Sequence, residues 1–318
     1  MNTTKIVMLD DWENYFSSHI DRSTFEDKIE FKAHQQSLFG DELYDAIAEA
    51  EVIILLRERT AVDADFIAHA PNLKHIICTG NQVRNLDAEA VAKAGISTSF
   101  AKGGDSKSST CELAWTLILA AFKQLDKLRI SRHQSQWRQH ADTQAAFIPS
   151  SLKDKQLAVI GLGGIGQKVA AVAKAFGMKV VCWSPNMTPE RAAEQGVEAM
   201  SLDELLSGSD IISIHLVLSE TTHHILNAQN LSLFKKGAVL VNTSRAEIID
   251  PEALLAALEN GQLPFYATDV FEQEPLSSEH PFYSLDNVLM TAHFGFVATE
   301  VYQLFAENIT KEIKSYLA

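Results

Sequence analysis

The chain has 318 residues, 46% hydrophobic and 21% charged, with 27 Lys+Arg against 41 Asp+Glu and a formal net charge of −14. This globular balance excludes disordered, collagen-like and disulfide-stapled chains, and at about 100–200 residues per domain it leaves room for two domains. The negative charge argues against a nucleic-acid backbone or an anionic membrane as partner, because both would be repelled.

Short apolar, β-branched runs alternate with helical patterns almost from end to end, which predicts βαβ units around parallel sheets. No leader of basic then apolar residues precedes the first strand, Lys5–Leu9, so a cytoplasmic location is expected. Strands at Val52–Leu56 and His75–Cys78 follow, with helices at Asp41–Ala50 and Asp87–Ala94. The polar, glycine-containing stretch 97–109 reads as a crossing between domains. A helix from Thr110 to Arg132 comes next, apolar on most sides in its first half (Leu113, Ala114, Trp115, Leu117, Ile118, Leu119), as a core helix or a subunit interface requires. Its most apolar part, Leu113–Phe122, is about half of the roughly 20 residues that a bilayer span needs. Further strands are predicted at Leu157–Ile160, Lys179–Trp183, Ile211–His215, Ala238–Asn242 and Phe265–Val270, with helices at Gly166–Phe176, Leu202–Leu206 and Pro251–Asn260. Asp250-Pro251 gives the last of these an N-cap and a proline at its first position, and Asn260-Gly261 gives it a stop. Cys78, Cys111 and Cys182 have no paired spacing, so reduced thiols and no metal site are expected.

The clearest motif is Leu157-Ala-Val-Ile-Gly-Leu-Gly-Gly-Ile-Gly166, a strand entering a G-x-G-x-x-G turn and a small-residue helix. Gly161 permits the tight turn, Gly163 lets backbone approach a pyrophosphate, and Gly166 allows close packing of helix on strand. The first-turn amides, around Gly164 and Ile165, are free to face the anion. With the strand before it and the helix after it, the motif predicts dinucleotide binding. The next strand ends about 20 residues on, where an Asp or Glu would hold the ribose of NAD. Here that segment is Ser184-Pro-Asn-Met-Thr188, with neither carboxylate nor cation; Arg191 lies one helical start further along. NAD is favoured, since a 2′-phosphate with no cation near it is poorly compensated, and NADP stays open. Three later strand ends, Val241–Arg245, Thr268–Pro275 and Met290–His293, carry polar residues at the sheet edge that lines the ligand crevice in such folds.

In this order these segments resemble the D-isomer-specific 2-hydroxyacid dehydrogenases, in a phosphoglycerate-dehydrogenase-like branch. The carriers are Gly161–Gly166, Ser201–Leu206, Ser209–His215, Thr221-Thr222, Lys236–Arg245, Asp269–Pro275 and Asn287–His293. The resemblance implies an α/β fold of two domains with a cleft between them. A Rossmann-type doubly wound parallel sheet, residues 101–293, binds NAD(P) and is inserted into a flavodoxin-like substrate domain, residues 1–100 completed by a C-terminal helix at 294–318. It also implies a homodimer and hydride transfer between NAD(P)H and a small 2-keto acid or D-2-hydroxy acid. By the same resemblance Arg245 grips the substrate carboxylate and carbonyl, His293 is the acid/base and Glu274 its partner, with Glu272 a solvated neighbour. Thr110, Ser184, Leu216, Thr243, Ser244 and Asp269 join the glycine turn as cofactor contacts, and Gly80 and Asn81 form the substrate loop. The departures at Gln82, Arg84, Val217 and Ala292 leave the substrate open. Two other readings are a nucleotide-sensing, corepressor-like binding protein of the same fold, disfavoured by the absence of long flanking tails, and a formate dehydrogenase, disfavoured by Glu274 where that enzyme pairs its His with Gln.

Overall fold

The computed structural model describes residues 3–80, 85–125 and 149–318. The chain divides into two compact units, one of Met1–Ser106 with Val297–Ala318 and the other of Lys107–Phe296.

In the first unit five strands, β1 (Thr4–Leu9), β2 (Ile29–Ala33), β3 (Val52–Leu55), β4 (His75–Thr79) and β5 (Ser97–Ala101), form a parallel sheet in the order β2-β1-β3-β4-β5. β3 and β4 are buried along their whole length, as continuous apolar runs covered on both faces must be. Residues 97–101, expected to open a crossing, instead form β5. An edge strand with an exposed face needs no apolar run, so Ser97, Thr98 and Ser99 pair with His75, Ile76 and Ile77 while reading as polar loop. β2 escapes prediction at the other edge for the same reason. The helix Thr299–Leu317 packs on β4 and β5 and buries Val301, Tyr302, Phe305, Ala306, Ile309 and Ile313, the spacing of one helical face. Gly103 lies against Phe305 so closely that a Cβ there would overlap the ring.

The second unit is a seven-stranded parallel sheet, in which β6 (Gln156–Ile160), β7 (Lys179–Trp183), β8 (Glu198–Ala199), β9 (Ile211–Ile214), β10 (Val239–Asn242), β11 (Phe265–Thr268) and β12 (Val288–Met290) take the order β12-β11-β10-β9-β6-β7-β8. Strand order runs outward in both directions from β6, so the sheet is doubly wound and its switch point lies between β6 and β9. One face is covered by the helices Lys107–Lys123 and Gly164–Ala175, with Trp115, Leu117, Ile118, Val169 and Ala173 in the core; the other buries Leu205, Leu206, Leu231, Leu254 and Leu258. The first of these helices starts at Lys107, ahead of the predicted Thr110, and the predicted end at Arg132 lies outside the described residues. Among the described residues no helix is long and apolar enough to cross a membrane. The three cysteines are buried and unpaired, and burial pushes the Cys78 thiol up to about 12, so none is primed as a nucleophile.

Candidate active site

The glycine turn follows β6 at the sheet's carboxyl edge. Gly161 has φ +99°, a conformation that L side chains rarely adopt, and a Cβ there would stand 2.6 Å from the His215 carbonyl oxygen. Gly166 lies so close under Gly161 that a Cβ would overlap the latter's carbonyl oxygen. Gly163, by contrast, faces open space. It is the N-cap of Gly164–Ala175 and offers no side-chain acceptor, so the first-turn amides, those near Ile165 included, remain available to an anion.

Beside this turn a cavity of about 350 Å³ is lined by Gly161 and Gly163, by Ser184, Asn186, Met187 and Arg191 after β7, and by His215, Leu216 and Thr222 after β9. His215 contacts Ser213 Oγ through Nε2 at 2.9 Å, while its Nδ1 is shut from solvent without a hydrogen-bond partner. Burial lowers its pKa to about 4, so the ring is neutral at pH 7.

After β10 the backbone folds onto itself. Asn242 Nδ2 donates to Arg245 O at 2.9 Å, Ser244 N donates to Asn242 Oδ1 at 3.0 Å, and the Ser244 hydroxyl donates to Leu216 O. This loop presents Arg245, whose Nη1 donates to Ser244 O at 2.7 Å, and leaves Thr243 Oγ1 buried without a partner. After β11, Asp269 accepts from Thr291 Oγ1 at 2.6 Å, Phe294 N at 2.8 Å and Gly295 N at 2.7 Å. Burial raises the Asp269 carboxyl above the usual carboxylate range in spite of these bonds. They clasp the 291–295 turn, in which His293 takes φ +54°, and Thr110 packs against the same turn at Gly295. The turn aims His293 Nδ1 at Glu274 Oε2, 2.6 Å away, while Glu274 Oε1 accepts from Phe271 N at 3.0 Å. Glu272 is exposed.

The structure thus brings Glu274 to His293, joins Ser244 to Leu216, and gathers Asp269, Thr110 and Gly295. Ser184 lies in the cavity wall. Gly80, in the first unit, has φ +110° and donates its N–H to Ala101 O at 2.8 Å; a Cβ on it would run into the Arg57 guanidinium. Asn81 lies outside the described residues. His215 and Thr291 escaped the sequence reading. His215 ends the same apolar run that marked β9, so the strand-end rule applied to Arg245 and His293 would have found it. Among the described residues no group of His, Cys, Asp or Glu could hold a metal ion. A dinucleotide fits the residues present: open space over Gly163, unpartnered polar atoms on His215 and Thr243, and a cavity between the ends of β7 and β9.

Residues 115–295 match the family model of the D-isomer specific 2-hydroxyacid dehydrogenase NAD binding domain. The chain is 36% identical over 281 residues to a D-3-phosphoglycerate dehydrogenase of Methanocaldococcus jannaschii, which covers 88% of this chain and 52% of that protein, so the chain spans about half the relative's length. It is 35% identical over 288 residues to a hydroxypyruvate reductase of Thermotoga maritima, with 90% and 91% covered. Among solved structures, a phosphoglycerate oxidoreductase from Vibrio cholerae superposes with a TM-score of 0.89 at 29% identity, covering 99% of both chains.

Proposed function

The chain belongs to the D-isomer specific 2-hydroxyacid dehydrogenase family, and we propose that it interconverts a small 2-keto acid and its D-2-hydroxy acid with NAD(H) through Arg245, Glu274 and His293. The observation that carries this reading is the 2.6 Å pair of Glu274 and His293 at the carboxyl edge of the second unit's sheet. When bound, the reduced nicotinamide supplies the hydride. With Nδ1 committed to Glu274, His293 has Nε2 left for the substrate oxygen, to which it gives a proton in reduction and from which it takes one in oxidation. The Glu274 carboxylate fixes the ring plane and offsets the imidazolium charge. Arg245 holds the substrate carboxylate with its planar fork. Thr110, Leu216, Thr243, Ser244 and Asp269 line the cofactor in this reading, and the glycine turn with Ser184 takes its phosphates and ribose. For Gly80 and Asn81 as the substrate loop, and for a homodimer, the support is the resemblance alone. Oxidation of NADH and NADPH with a panel of 2-keto acids of graded size and charge tests the reading. Turnover of at least one acid is expected; dinucleotide binding with no acid reduced would overturn it.

A further inference from the structure

The segment after β7 looks neutral in sequence, but the fold supplies the cation that spacing alone placed too far away. Thr188 caps the helix Pro189–Glu194, its Oγ1 accepting from Arg191 N at 3.3 Å. This turns the chain back on itself, and Arg191 Nη1 donates to Asn186 O at 2.6 Å. Arg191 thereby becomes part of the wall of the cavity that also contains Ser184. Among the described residues no Asp or Glu lines that cavity, and Arg191 is the one Arg or Lys that does, in a chain whose net charge is −14. Glu190 and Glu194 flank Arg191 on its helix, but neither reaches the wall, and Glu190 is engaged by the Thr188 hydroxyl and its own backbone amide. Ser184 directly follows β7, where a carboxylate would accept from a ribose 2′-hydroxyl and repel a phosphate in its place. A serine there offers a hydroxyl donor without that charge. With one of its five donors spent on Asn186 O, the Arg191 guanidinium keeps enough for a phosphate. His215 closes the cavity on the β9 side.

We propose that Ser184 and Arg191 form a subsite for a 2′-phosphate, so that the chain binds both dinucleotides but NADP(H) more tightly than NAD(H). The proposal rests on the reading of this cavity as the adenosine end of the dinucleotide site. It is tested on the whole chain by calorimetric titration with NADPH, NADH, adenosine 2′,5′-bisphosphate and adenosine 5′-phosphate, at low and at high salt. One charge-assisted contact corresponds to about a tenfold tighter Kd for each 2′-phosphorylated member, a ratio that shrinks with salt because Arg191 is exposed. Arg191→Gln brings the NADPH-to-NADH affinity ratio to about one or below, and Ser184→Asp reverses it in favour of NADH. Tighter binding of NADH by the wild type, or a ratio that neither substitution moves, overturns the subsite while leaving the dinucleotide reading intact. Failure of all four ligands to bind overturns both.

Discussion

Replacing His215 with Gln keeps a nitrogen for Ser213 but removes a titrating ring from the cavity wall. In the folded chain burial holds the His215 pKa at about 4, against 6.5 in an unperturbed histidine. As pH falls below 6.5 the unfolded chain takes up the proton first, so stability is lost between about pH 6.5 and 4 and the loss levels off below that. With those two values the penalty is negligible at pH 7.5 and about 2 kcal/mol at pH 5.0. Urea unfolding of the ligand-free wild type and of His215→Gln at both pH values isolates it, because every other titrating group is shared. The wild type should lose about 2 kcal/mol more than the variant on going to pH 5.0. Equal losses, or an imidazole carbon titration of His215 centred near 6.5, would refute the reasoning.

Gly161→Ala places a Cβ 2.6 Å from a backbone carbonyl at φ +99°, neither of which can yield cheaply; a cost of about 2 kcal/mol or more and loss of NADH binding are expected, read by thermal melting and titration. His293→Ala should lower kcat by about 10²–10⁴-fold with little change in NADH affinity, whereas Glu274→Gln, which keeps the ring's neighbour but not its charge, should fall between it and the wild type; steady-state kinetics beside NADH titration decides. Arg245→Lys should raise KM for the keto acid and lower kcat, since a point charge does not replace a planar fork. Phe305→Ala should destabilise the first unit by about 3–5 kcal/mol, measured as a lower Tm, because the ring is buried against Gly103.

The places of the glycine turn, Arg245, Glu274 and His293 were legible because a parallel sheet gathers polar residues past the carboxyl ends of its apolar strands. β2 and β5 were not legible, since edge strands with one solvated face carry no apolar signature; Ser97-Thr-Ser99 reads as loop until His75 is seen beside it. Arg191 was misjudged for a different reason. Sequence distance from β7 said it was remote, while the Thr188 cap and the Asn186 carbonyl fold it back into the cavity wall. The turn at 291–295 depends on three bonds to Asp269, partners more than twenty residues away that no local pattern reveals.

The helix Thr299–Leu317 belongs to a unit whose other residues end at Ser106. During synthesis at about 5–20 residues per second, β4 and β5 therefore wait roughly 10–40 s for the helix that packs on them, while the strands of the second unit are being made. Over that interval the nascent chain shows the ribosome's surroundings a bare apolar sheet face, and any message that stops before residue 299 releases a product with that face permanently open.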